Sequence, residues 1–272
     1  MLSKLLKYEF KDTARTIPLL YLVGLIFAGL VLFSVKLLHI QWFQFTTSVV
    51  LMLLGIAVSI ITFVIIVMRF YKNLYSNEGY LMFTLPVKPG LLLASKSIAA
   101  FFWMILSYCF TAGAFLVSLY GFGVTGELAL AMDEIKSLGA EKMIYLFIPA
   151  IVLATLYLLG QIYFAVTVAN TPALHSMGIA AAFLVFIATN IILQIVEAIF
   201  TVFIPFSIEI GFEKINASLT SKNMFGFILE TVKGSEPTGI VIGLGGYVFE
   251  IVMVCVLFYV TSRMMKNKVS LK

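Results

Sequence analysis

Two carboxylates, Glu197 and Glu250, stand inside long runs of apolar residues, and the amides Asn190 and Gln194 precede Glu197 at helical spacing. Residues three and four apart meet on one face of a helix, so Asn190, Gln194 and Glu197 make a polar stripe. A carboxylate in hydrocarbon is costly and turns toward a bundle interior or a wet cavity. Such a group can serve transport or proton coupling, or it can be a protonated acid hydrogen-bonded between helices. No Lys, Arg or His lies in the neighbouring apolar runs to complete a proton relay. Gln161 and Asn170 add polar groups to the preceding run and mark an interior or conduit face.

The second constellation is the stretch from Arg69 to Pro89, RFYKNLYSNEGYLMFTLPVKP. A tether needs only flexible polar residues. Here Phe70, Tyr71, Tyr75, Tyr80 and Phe83 alternate with charge, Gly79 marks a turn, and Pro86 and Pro89 stiffen the exit. Aromatics on a basic loop suit a protein-docking surface. They equally suit the lipid headgroup region, where aromatic residues collect. The loop's own composition leaves both open.

Other chemistry has little support. The chain has no HExxH, no CxxC and no glycine-rich nucleotide loop ending in Lys. His39 and His175 fall at opposite ends of the expected membrane layer, so they cannot form one site. Gly121-Phe122-Gly123 lacks the strand-to-helix setting a phosphate loop needs. Cys109 and Cys255 lie within apolar runs and read as small buried apolar residues. Asn216-Ala217-Ser218 matches a glycosylation pattern, a three-residue match that arises easily by chance.

These residues must be positioned by membrane helices. Hydrophobic residues make up 62% of the chain and charged residues 11%, against about 25% charged in a soluble domain. Runs at residues 17–35, 49–68, 98–120, 144–168, 177–205 and 240–260 are each long enough to cross a bilayer as helix. They lack the alternation of barrel strands and the polar faces of soluble helices. The expected fold is all-α: six transmembrane helices filling residues 17–260, behind an N-terminal interfacial helix over residues 1–16. In that helix Leu2, Leu5, Leu6, Phe10 and Ala14 oppose Lys4, Lys7, Lys11 and Asp12.

Residues 69–97 form the loop between spans 2 and 3. Residues 206–239 form a loop or small cap on the other side, and residues 261–272 a basic tail. Of the 18 Lys and Arg, those near the two termini and in the 69–97 loop outnumber those on the opposite side. Both termini are therefore expected in the cytoplasm. The net charge of +5 is mostly this topology signal. It suits contact with anionic lipids and offers no solvated basic face for nucleic acid. Gly239, Gly243, Gly245 and Gly246 crowd the start of the sixth span and permit close helix approach or a local break.

Six spans, both ends inside, an interfacial first helix and the segment Glu78-Gly79-Tyr80-Leu81-Met82-Phe83-Thr84-Leu85-Pro86 ahead of Ser95-Lys96 together resemble the membrane permease subunits of bacterial ABC-2 type exporters, the small Gram-positive type above all. The opening Lys4-Leu5-Leu6-Lys7-Tyr8-Glu9-Phe10-Lys11 and the closing Lys266-Asn267-Lys268-Val269-Ser270-Leu271 are similar to that group as well. The resemblance implies a multi-pass subunit of the bacterial plasma membrane that is not itself an enzyme and holds no cofactor. ATP and Mg would be bound by a separate cytoplasmic ABC ATPase. A second permease copy, or a homologous permease, would complete the path. The coupling contact would fall on Tyr71, Leu74, Tyr75, Glu78, Gly79, Tyr80, Phe83, Leu85 and Pro86, with the N-terminal helix beside it. The alternatives are a secondary transporter or channel without an ATPase, and a structural membrane subunit. No residue chooses the cargo.

Overall fold

The computed structural model describes residues 1–75, 87–137, 141–172, 174, 177–211, 217–234 and 239–267, with backbone alone at 134, 135, 137, 141–146, 210, 217, 218 and 267. Among the described residues the fold is all-α with one small sheet, and six helices are long and apolar enough to cross a membrane. The chain divides into two compact units, one before and one after the middle of a connecting helix near residue 130.

The first unit holds α1 (Leu2–Thr13), α2 (Ile17–Phe33), α3 (Gln41–Tyr75) and α4 (Pro89–Gly121). Proline in the first turn opens both α2 and α4, where its missing N–H leaves no bond unmade. A π-helical turn, Ser34–Leu38, prolongs α2 until His39 takes a left-handed conformation (φ 52°) and ends it. The helices meet through small residues, as membrane helices do where backbones approach closely. Gly55 of α3 faces Ala114 of α4. Beside it Thr111 Oγ1 donates to the Gly55 carbonyl at 2.7 Å and lies 2.7 Å from Ser59 Oγ. Val31, Leu51 and Ala114 form the buried centre where α2, α3 and α4 converge.

Two of these helices are longer than their apolar runs. Helix α3 has 35 residues and α4 has 33. At 1.5 Å per residue each is about 50 Å long, well beyond the ~30 Å hydrocarbon core. Residues 69–75 and 89–90, placed in the connecting loop by composition, are helical, and so are residues 91–97. Hydropathy marks only the lipid-buried part of a helix and is blind to its continuation into water.

Helix α5 (Thr125–Ser137) leads on to the second unit. There α6 (Glu141–Ala169) packs against both α7 (Ile179–Phe203) and α9 (Gly245–Asn267). Between α7 and α9 lie β1 (Ser207–Gly211), β2 (Ala217–Thr220), α8 (Met224–Val232) and β3 (Gly239–Gly243). The strands form an antiparallel sheet in the order β2-β1-β3, with Glu209 opposite Ser218 on one side and Val241 on the other. This sheet was not expected. Its signal is the alternation Ser207-Ile208-Glu209-Ile210 and the β-branched Ile240-Val241-Ile242, strand patterns too short to stand out beside twenty-residue apolar runs. Pro205 follows the end of α7 at Phe203 and prevents its continuation. Asn223 caps α8, its Oδ1 accepting from the Gly226 N–H at 2.9 Å. Cys109 and Cys255, read as buried, are exposed on the outer faces of α4 and α9.

Candidate functional site

In the first unit a charged cluster joins α1 to the ends of α3 and α4. Lys96 Nζ donates to Glu9 Oε1 at 2.6 Å, with the lysine side chain only 4% exposed. Arg69 lies 3.4 Å from the other Glu9 oxygen and also pairs with Asp12. Alongside, the Trp103 Nε1–H donates to Thr13 Oγ1 at 2.8 Å, and Thr13 Oγ1 donates to the Glu9 carbonyl at 2.8 Å. Phe10 stands edge-on to Phe102, ring centres 5.2 Å apart. Helix α1 is thus bolted to α4 by its charged and hydroxyl-bearing residues as well as by its apolar stripe. The pattern of a surface helix pointed to Leu2, Leu5, Leu6, Phe10 and Ala14. It gave no sign that Glu9 and Thr13 would be buried, because burial there depends on charges 60 and 87 residues further on.

The proposed coupling residues divide at Tyr75. Tyr71 is half-buried on the last turns of α3, while Leu74 and Tyr75 are buried within the first unit. Tyr75 packs edge-on to Phe70 at 6.0 Å. Glu78, Gly79, Tyr80, Phe83, Leu85 and Pro86 lie outside the described residues.

The second unit brings the intramembrane polar residues together. Asn190, Gln194 and Glu197 of α7, Glu250 of α9, and Tyr157 and Gln161 of α6 line one cleft of about 530 Å³. Asn190 Nδ2 donates to Gln161 Oε1 at 3.0 Å, tying α7 to α6. Glu197 and Glu250 are half-buried, and Gln194 is exposed. The glycines at the start of α9 allow the approach of α7: a side chain at Gly246 would meet Thr201 Oγ1, and its Cβ would lie 3.6 Å from Glu197 Cγ. Two polar atoms here are closed off from solvent and without a hydrogen-bond partner, Tyr157 Oη and Glu250 Oε2. The helical stripe foretold Asn190, Gln194 and Glu197 on one face. Tyr157 gave no signal, since a tyrosine in an apolar run reads as packing.

Among the described residues no group of three or more His, Cys, Asp or Glu is placed to hold a metal ion. Comparison with protein families, with curated proteins and with solved structures finds no match to this chain.

Proposed function

We propose that the chain is the membrane permease subunit of an ATP-driven bacterial exporter of the ABC-2 type, a multi-pass protein of the plasma membrane with both termini in the cytoplasm. A separate cytoplasmic ATPase binds ATP and Mg, and a second permease copy or homologue completes the translocation path. The observation that carries this reading is the buried cluster of Glu9, Lys96 and Arg69. It fastens α1 to both helices that flank residues 76–86, the segment carrying the exporter resemblance.

Placing an ammonium and a carboxylate out of water has a penalty of several kcal/mol per ion, and the pair's attraction repays it only with good geometry. Apolar contacts would hold α1 in place with less risk. A fixed ionic joint has its use where three elements must move as one body, as a lever does when a partner pushes on it. ATP-driven closure of the ATPase would press on residues 76–86. Helices α3 and α4, extended well past the hydrocarbon, would carry that displacement into the membrane.

The cleft around Glu197 and Glu250 favours a second reading, a transporter that works without an ATPase. One experiment separates the two. The tagged chain is recovered from its native membrane in nanodiscs, beside a Tyr80→Ala, Leu85→Ala variant, with partners identified by mass and by ATPase activity. The permease reading expects a stoichiometric nucleotide-binding subunit with the parent chain and its loss in the variant. An intact oligomer without ATPase under several mild extraction conditions overturns it in favour of the second reading.

A further inference from the structure

The polar cleft of the second unit does not stand alone. Ala154, Glu197, Thr201 and Glu250 line it and also line a neighbouring cavity of about 420 Å³. That cavity shares Ala150, Ile242 and Tyr247 with a third, of about 380 Å³, whose remaining walls include Phe147, Leu153, Phe206 and Ile251. The lining thus passes from two carboxylates, amides and a phenol at one end to aliphatic and aromatic side chains at the other. All of it belongs to one compact unit.

We propose that this string of cavities binds an amphiphilic organic cation, a protonated amine on an apolar body. The amine would sit between Glu197 and Glu250, and the apolar part would extend toward Phe147 and Ile251. Two acids near each other in a low-dielectric setting call for a positive charge between them. With fewer than three His, Cys, Asp or Glu side chains gathered there among the described residues, an ammonium fits better than a tightly held metal ion.

The hydrogen-bond inventory agrees. Tyr157 is 7% exposed and lines the cleft, and its Oη lies beside the Gln161 side chain outside hydrogen-bonding geometry. Glu250 Oε2 is likewise closed off and unpartnered. Buried polar atoms are normally satisfied, so two orphans on one cleft wall mark a missing partner. Both can accept, and an ammonium carries three N–H donors. Rotation of these side chains toward a bound amine would let it donate to Glu250 Oε2 and Tyr157 Oη and leave a donor for Glu197.

The inference rests on the permease reading only in making the ligand a cargo, since binding itself requires no ATPase. The test uses the full chain in nanodiscs without any partner and tritiated decylamine as probe, with empty nanodiscs subtracted. Saturable binding near one per chain is expected. Glu197→Gln with Glu250→Gln, which removes charge and keeps shape, should weaken it at least tenfold. Tyr157→Phe, which deletes one hydroxyl without disturbing packing, should weaken it about fivefold, as for one lost hydrogen bond. Size-exclusion profiles and thermal unfolding establish that each variant is folded, and Tyr157→Phe carries the test if the double variant is not.

Binding no greater than to empty nanodiscs overturns the proposal, as does binding undiminished in the folded variants. Equal competition by decanol would remove the need for charge, and equal competition by tetramethylammonium the need for an apolar body. Either result also overturns it. None of these outcomes bears on recovery of an ATPase with the chain, so failure here and failure of the permease reading are told apart.

Discussion

Removing the Lys96 ammonium would leave the Glu9 carboxylate in a buried site with Arg69, at 3.4 Å, as its one remaining ionic partner among the described residues. Breaking one side of a buried pair typically costs about 3–5 kcal/mol, whereas replacing both partners by apolar groups of similar size is close to neutral. Lys96→Ala should therefore lower the thermal unfolding temperature of the chain in nanodiscs sharply, and Glu9→Leu with Lys96→Met should restore most of the loss. The Arg69 pair with Asp12 remains in that double variant. Should the double variant prove as unstable as the single one, the cluster would be holding the fold together by charge. The lever argument, which gives it a positioning role, would then fail. This site was half legible in the sequence. Lys96 and Arg69 were visible as basic residues near span ends, and Glu9 as part of a charged first helix. Their meeting was not, because nothing in a helical period says which residues of two distant helices will face each other.

Small residues decide how closely the helices approach. At Gly246 any side chain would meet Thr201 Oγ1, and neighbouring Gly245 stands against Phe200 of α7 and Ile204 just past its end. Gly246→Leu should force α9 away from α7, lowering stability by about 1–3 kcal/mol as overpacking does, measured by thermal unfolding. Because Gly246 also lines the middle cavity, decylamine binding should fall in the same variant. Loss of stability with unchanged binding would mean that the cavity is not part of the ligand's path. At this scale the sequence was most informative about the lipid-buried elements. Six apolar runs correspond to six long helices, since the hydrocarbon admits no other backbone form for a run of that kind. It was least informative outside the hydrocarbon. There α3 and α4 continue as helix and Ser207–Gly211, Ala217–Thr220 and Gly239–Gly243 form a small sheet, choices governed by tertiary pairing and not by hydropathy.

At the scale of the molecule, the lever depends on which side of the membrane each end occupies, and the cleft does not. On the proposed reading, the basic residues of the termini and of the α3–α4 connection face the cytoplasm, and the loop bearing β1, β2 and α8 the opposite side. A cytoplasmic ATPase, as proposed, could reach residues 76–86 only in that orientation. Lys222 is the informative position: it is 58% exposed by side chain, and its pairing with Glu209 at 3.3 Å is a surface contact whose loss is worth about 1 kcal/mol or less. With Cys109 and Cys255 replaced by Ala, single cysteines at Lys4, Lys222 and Lys266 can be probed in intact cells with a membrane-impermeant maleimide. Lys222→Cys should label at once, and Lys4→Cys and Lys266→Cys only after the membrane is opened. Inversion of this pattern would put residues 76–86 outside the cell, away from any source of ATP, and the permease reading would have to be abandoned. The amine cleft would survive inversion, because its carboxylates belong to the membrane-spanning parts of α7 and α9 and do not depend on which end faces the cytoplasm. A split result, with Lys4→Cys protected and Lys266→Cys labelled from outside, would give the chain an odd number of crossings. One of the six apolar helices would then lie outside the bilayer. Helix α7 is the least buried of the six within its own chain, so in such a split result α7 is expected to stay within the membrane, where lipid or a second copy covers it.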